Sequence, residues 1–326
     1  MTEGALEGPG SPGEPGSAPG TVPWVRALVT GATGFVGGRL ADALAAEGVE
    51  VRCLVRDRSR AERLSRRGYE LHEGDALDAA GLEGAGDDVD VAYFLIHSMG
   101  RGGDEGFGER EQRAARNFAQ IAKRCGVGQV VYLGGLGTPG SRHLRSRQET
   151  ARTLAAEGPP LTYFRAAMVV GANSESFRTL FHLVRRLPVM VAPAWLRIRT
   201  QPIGIDDVLR YLCMAPTTPG CIGREIEIGG PDVISYGDML GTVARELGKR
   251  APVMVPVPLL TPALSSLWIG LVTPVDVGVA RPLIEGLSTE TVVTDPSGAA
   301  LFDITPMPFV ETVRRALADQ GALSAA

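Results

Sequence analysis

Lysine is nearly missing from this chain. Among 326 residues only Lys123 and Lys249 are lysines, so its basic groups are almost all arginine. Cysteine is sparse too, and Cys53, Cys125, Cys213 and Cys221 form no Cys-x-x-Cys pair. That spacing excludes a disulfide framework and a thiolate metal site, so reduced thiols, a cytoplasmic location and no metal are expected. There is no excess of positive charge: the net charge of −4 excludes a general nucleic-acid binder despite local arginine clusters. A long unbroken apolar run is also lacking. The stretch from Ala251 to Val275 is uncharged, but its prolines leave about a dozen helix-compatible residues, short of the ~20 that span a bilayer. Trp268 and Leu271 within it fit core or pocket lining better than docking on a membrane surface or gripping a lipid-like quinone. Residues 1–23 lack the basic start and apolar stretch of a secretion signal and contain Gly-Pro-Gly-Ser-Pro-Gly. They are expected to be a disordered tail, with the fold beginning near Trp24.

What is present is an ordinary globular balance, 44% apolar and 21% charged, with one informative turn. The apolar run Ala27-Leu28-Val29 leads into Thr30-Gly31-Ala32-Thr33-Gly34-Phe35-Val36-Gly37, and a helix-forming run follows from Arg39 to Glu47. A strand, a glycine turn and a helix in immediate succession suit a dinucleotide. The first glycine permits the turn, the second admits the pyrophosphate, and the third lets helix and strand pack closely. The phosphates would sit on the unpaired N–H groups and positive dipole end of the helix. Thr30, Gly31, Thr33, Gly34, Phe35, Val36 and Gly37 are therefore cofactor-binding candidates.

Short apolar runs continue at Val25–Thr30, Glu50–Val55, Tyr69–Glu73, Val89–Ile96, Gln129–Leu133 and Leu161–Val170. Helical patterns around Ala41, Ala61, Leu82, Asn117 and Arg152 separate them. Such alternation predicts an α/β fold, a Rossmann-like doubly wound parallel sheet over residues 24–170. After Gly171 the rhythm changes: helices near Ser174–Leu187, from Asp206 and from Tyr236, with a short strand at Glu225–Ile228. This predicts a smaller C-terminal α/β lobe, residues 171–326, laid over the cofactor edge and taking substrate or partner.

The second strand ends Val55-Arg56-Asp57-Arg58-Ser59-Arg60, arginine standing where an NAD-binding fold usually places an acidic group. A guanidinium fork at Arg56 suits a 2′-phosphate and favours NADP(H) over NAD(H), although these arginines also read as a solvated helix entrance. His97, at the end of the fourth strand, is suited to a ribose or a substrate carbonyl, or to a structural hydrogen bond.

Tyr132-Leu133-Gly134-Gly135-Leu136-Gly137, His143-Leu144-Arg145-Ser146-Arg147-Gln148, Phe164-Arg165-Ala166-Ala167-Met168-Val169-Val170-Gly171, Gln201-Pro202-Ile203 with Asp206-Asp207-Val208, and Glu227-Ile228-Gly229-Gly230-Pro231 follow in this order. Together with the glycine turn they resemble the atypical short-chain dehydrogenase/reductase (SDR) group, the NAD(P)H-binding, NmrA-like proteins related to NAD-dependent epimerases and dehydratases. The resemblance covers roughly residues 25 to 290. It implies that Asp75, with Ala76, approaches the adenine amino group, beside a plain capping role for Asp75. It also implies a Tyr-x-x-x-Lys pair and a serine after the fifth strand, and this chain has neither. Ala119 precedes Lys123 and Arg245 precedes Lys249 at that spacing. His143 and Arg147 hold the place of the pair, and Gly134 and Gly135 that of the serine. His143 would be the acid and Arg147 a fixed charge, since arginine supplies field but no proton; otherwise the helix only supports the cofactor. Two functions remain open: an oxidoreductase or epimerase-like enzyme acting on a quinone-like compound or nucleotide sugar, and a non-catalytic NADP(H)-binding redox sensor or assembly factor.

Overall fold

The computed structural model describes residues 25–96, 106–138, 142–192, 194–256 and 289–325. The tail at 1–23, Trp24, His97 and most of the 251–275 stretch lie outside the described residues. The elements in chain order are β1 (Arg26–Val29), α1 (Phe35–Ala46), β2 (Glu50–Val55), α2 (Glu62–Arg66), β3 (Glu70–Glu73), β4 (Val91–Phe94), α3 (Phe107–Arg124), β5 (Gln129–Gly135), α4 (Arg142–Glu157) and β6 (Leu161–Ala166). There follow β7 (Val169–Val170), α5 (Glu175–Arg186), β8 (Val189–Ala192), β9 (Arg199–Thr200), β10 (Ile203–Gly204), α6 (Ile205–Met214), β11 (Glu225–Ile228), β12 (Ile234–Ser235), α7 (Tyr236–Glu246), β13 (Val253–Pro256) and α8 (Phe309–Ala325).

Seven strands form one sheet in the order β11-β6-β5-β4-β1-β2-β3, every pair parallel. Successive side chains on a strand face opposite ways, so each strand feeds two cores. Ala27, Val29, Tyr93, Val131 and Phe164 face Leu40 and Leu44 of α1 and Val208 and Leu212 of α6. Leu28, Phe94, Tyr132 and Tyr163 face Phe118 of α3 and Leu154 of α4. The sheet is doubly wound. Its chain order turns back between β1 and β4, which puts a crevice beyond the carboxyl ends of those strands.

The predicted strand Leu161–Val170 is two strands. β6 stays in the main sheet to Ala166, and β7 leaves it to pair with β10. The residues stay apolar across the break, so alternation gives no warning of it. The predicted helix around Leu82 is one 3₁₀ turn, Ala80–Leu82, in a run containing Gly81, Gly84 and Gly86. β11 forms where a short strand was expected, and it closes the main sheet beside β6.

A third core lies in the C-terminal elements, where Phe177, Leu180 and Leu183 of α5 meet Met239, Leu240 and Val243 of α7 and Val313 of α8. Ser235 and Asp238 form a capping box that starts α7, with each side chain accepting the other's backbone N–H. No described helix is long and apolar enough to cross a membrane.

One side chain ties the central strands at their carboxyl ends. Thr30 is fully buried; its hydroxyl donates to the Tyr93 carbonyl at 3.0 Å and accepts from the Leu95 N–H at 2.9 Å. Thr30→Val keeps the shape but leaves the Leu95 N–H unpaired in the core. Chemical denaturation should show a loss of about 1–3 kcal/mol with the native circular dichroism retained.

Candidate functional site

Beyond Thr30 the chain turns at Gly31, whose φ is +64°, in the left-handed region that favours glycine. A Cβ there would lie 2.4 Å from the Leu95 carbonyl oxygen, and one on Gly37 would lie 2.4 Å from the Gly31 oxygen. Neither position tolerates a side chain. The Gly34 N–H closes the turn on the Gly31 carbonyl at 2.8 Å. α1 then starts from Gly34 with no side-chain cap and no acidic residue in its first turn. Its leading N–H groups and dipole are left for an anion. Thr33 and Gly34 are exposed beside them, and Phe35 and Val36 are half-buried. Arg39 stacks on the Phe35 ring, 4.5 Å from its centroid, and donates to the Ala172 carbonyl at 2.8 Å. The helix is thereby strapped to the segment after β7.

At the end of β2 the structure separates arginines that spacing could not. Arg58 donates to the Leu71 carbonyl at 2.8 Å, and Arg60 sits 3.5 Å from Asp57. The Asp57 carboxylate caps the next turn by accepting from the Ser59 N–H and hydroxyl. Arg56 is exposed and has no ion pair or hydrogen bond among the described residues. Asp75 is exposed after β3; its Oδ1 accepts the Leu77 N–H at 2.9 Å, the capping role, and Oδ2 is left for another donor. Ala76 is buried, and its carbonyl accepts from Asn117 of α3 at 2.9 Å. His97 lies outside the described residues.

His143 and Arg147 fall one turn apart in α4; the His143 side chain lies outside the described residues. Arg147 is buried, and its carbonyl accepts from the Tyr132 hydroxyl at 3.4 Å. One residue earlier, Ser146 donates to the buried Glu111 of α3 at 2.5 Å. Gly134 and Gly135 leave no room for side chains: a Cβ on Gly135 would lie 2.6 Å from Leu144.

The quoted motifs contain a second group whose work had no local signal. Arg165, at the end of β6, donates to the Gly137 carbonyl at 2.6 Å and pairs with Glu225 at 2.7 Å and Glu227 at 3.2 Å. Glu227 accepts from the Thr294 N–H at 2.6 Å and the Asp295 N–H at 3.1 Å. Gln201 donates to the Gly230 carbonyl at 2.7 Å and accepts from the Val293 N–H at 3.0 Å. The loop after β5 and residues 293–295 are thus anchored to the same two strand ends. No cluster of metal-ligating side chains occurs among the described residues.

Residues 31–166 match a family model described as NAD(P)H-binding. No curated protein matches the sequence. Among solved structures, the Citrobacter sp. triphenylmethane reductase complexed with NADP(H) shares 17% identity at a TM-score of 0.70, over 90% of this chain and 100% of that one. An Escherichia coli NADPH-dependent quinone oxidoreductase complexed with NADPH shares 18% at 0.68, over 89% and 98%. The Bordetella bronchiseptica enzyme WbmH, in complex with NAD+, shares 17% at 0.66, over 90% and 97%. Fold and family match together describe a Rossmann-fold NAD(P)(H)-binding protein, related in structure to oxidoreductases and epimerases.

The Glu227 anchor responds to acid. Burial pushes its carboxyl up, but the Thr294 and Asp295 N–H groups, the Thr294 hydroxyl and Arg165 outweigh burial and hold it below the usual range. Its folded pKa is therefore below the unfolded value of ~4.3, so its stabilisation is complete above that pH and is lost as pH falls through the folded value. Glu227→Gln should cost about 1–3 kcal/mol at pH 7. The difference between variant and wild type should vanish in denaturation curves taken below the folded pKa.

Proposed function

We propose that this chain is an NADP(H)-dependent oxidoreductase of the atypical SDR type. The reading rests on one observation above all, the uncapped N-terminus of α1 behind the Gly31–Gly37 turn, with the free guanidinium of Arg56 at the end of the next strand. The first supports a pyrophosphate seated on backbone N–H groups, and the second a fork for the 2′-phosphate. Two of the compared structures hold NADP(H) and one holds NAD+. The arginine supports the phosphorylated form for this chain. When bound, the dinucleotide supplies hydride.

In this reading residues 24–170 hold the cofactor, with Asp75 near the adenine. The lobe from residue 171 takes a small-molecule substrate, a quinone-like compound or a nucleotide sugar, against the loop after β5. Arg147 contributes positive field without a proton, and His143 is the candidate acid. The four cysteines remain reduced in a cytoplasmic protein. A second reading, a non-catalytic NADP(H) sensor or assembly factor, is favoured by Gly134 and Gly135, which present no hydroxyl at the end of β5. Purified protein with NADPH and a panel of quinones, aldehydes and nucleotide sugars decides between them. Turnover supports the enzyme, whereas stabilisation by NADPH without consumption supports the sensor.

Two substitutions refine the test. Arg56→Ala should weaken NADPH by roughly tenfold or more, the worth of a charge-assisted hydrogen bond of ~1.5–3 kcal/mol, with NADH almost unchanged. Calorimetric titration reads both, and an equal loss for the two cofactors would make Arg56 structural. His143→Phe should reduce turnover on any substrate found in the panel; an unchanged rate removes His143 from the mechanism.

A further inference from the structure

Tyr163 of β6 stacks on Tyr132 of β5, with ring centroids 5.1 Å apart and planes 16° from parallel. The two phenols end differently. The Tyr132 hydroxyl reaches the Arg147 carbonyl, whereas the Tyr163 hydroxyl is buried with no hydrogen-bond partner among the described residues. Burying an unpaired hydroxyl costs free energy that phenylalanine in the same place would avoid. Tyr163 itself is only 3% exposed, so solvent does not pair its oxygen.

The neighbouring strand supplies a second, independent observation. A Cβ built on Gly134 would lie 2.7 Å from both Cε2 and the hydroxyl oxygen of Tyr163. A side chain at 134 and the Tyr163 ring therefore exclude one another. The volume that a residue at 134 would project into, one residue short of the end of β5, holds the tyrosine hydroxyl. Gly134 is a glycine because another strand uses its space.

We propose that Tyr163 supplies from β6 the hydroxyl that β5 lacks, donating a hydrogen bond to the oxygen of the carbonyl compound reduced at the carboxyl end of the sheet. The hydride would come from the bound dinucleotide to the carbonyl carbon, the proton on oxygen from His143, and Tyr163 keeps its own. This rests on the oxidoreductase reading above. The group is suited to donating and unsuited to acting as a base. Burial pushes its pKa up to about 12, against the opposing pull of Arg165 and Arg147, so it is neutral and protonated near pH 7. A donor already desolvated and fixed needs no reorganisation when charge develops on the substrate oxygen. Arg147, close enough to act on both phenols, adds positive field at the same place.

Tyr163→Phe removes one oxygen and keeps the stack on Tyr132. The probe is oxidation of NADPH by a water-soluble para-quinone, alongside NADPH titration and thermal unfolding of the unliganded protein. Expected are NADPH affinity within about threefold of wild type, an unfolding midpoint equal or higher, and kcat lower by roughly 10²-fold with a smaller change in KM, the scale seen when one such donor is removed. Gly134→Ala, which drives a Cβ into the ring, should lower kcat in the same direction. Wild-type turnover in Tyr163→Phe overturns the assignment and leaves the oxidoreductase reading standing. A lower midpoint, or failure to fold, makes the hydroxyl structural and also overturns it. Wild-type protein that binds NADPH and reduces no quinone, aldehyde or nucleotide sugar fails the reading itself, and the inference with it.

Discussion

The structure depends on a place where three backbones meet with no side chain between them. Gly31 lies against the Leu95 carbonyl just after β4, and Gly37 of α1 lies against Gly31. A Cβ at either position would lie 2.4 Å from a backbone oxygen and force the strand ends and the helix apart, and close-packed interiors do not absorb such a shift. Because the turn is this tight, α1 begins at the sheet edge with its N–H groups aimed outward. Thr30, just before it, spends its hydroxyl on β4 and fixes the height of that edge. The uncapped helix end offered to an anion here is a consequence of the packing, not of a dedicated binding side chain.

Further along the same sheet, the carboxyl ends of β6 and β11 form a second wall held by charge. Arg165 and Glu227 are both largely buried, and a buried ion pair offsets its desolvation only if the remaining hydrogen-bonding positions are filled. They are filled here. The guanidinium also reaches the Gly137 carbonyl, and the second carboxylate oxygen takes the Thr294 and Asp295 N–H groups. The pair therefore defines the path of two loops, the one after β5 and the one at 293–295. One wall is positioned by the absence of side chains and the other by a saturated network of them.

The first wall was legible in the sequence because its constraints are local. Glycines three apart between an apolar strand and a helical run leave few alternatives, and strand alternation located six strands of the main sheet within a few residues. β11 was found as a strand, but membership of a sheet is decided by a partner 62 positions away in register, Glu227 against Arg165, which periodicity does not carry. The break in Leu161–Val170 was hidden for a related reason: Ala167 and Met168 are apolar whether or not the strand continues. The same holds for the site. Arg56, Arg58 and Arg60 are equivalent by spacing, and only the Leu71 carbonyl and Asp57 distinguish them. Gly134 read as a missing hydroxyl until the Tyr163 ring was seen in its space.

The chemistry of the thiols narrows what a sensing role would have to be. The thiolate is the reactive form of cysteine, and burial of a thiol suppresses it. Burial pushes Cys53 and Cys213 up to about 12, and raises Cys221 and Cys125 as well, Cys125 with help from Asp87. All four are free, and the shift of each disfavours the thiolate. A redox sensor built on this fold would find its own sulfurs held toward the unreactive thiol form. Reporting through a bound dinucleotide avoids that limit, so both readings converge on the carboxyl end of the main sheet, where β1, β2 and β5 end. What separates the two is whether a hydrogen-bond donor awaits a substrate there. Beside Gly134 the fold buries an oxygen, the Tyr163 hydroxyl, that is unpaired among the described residues.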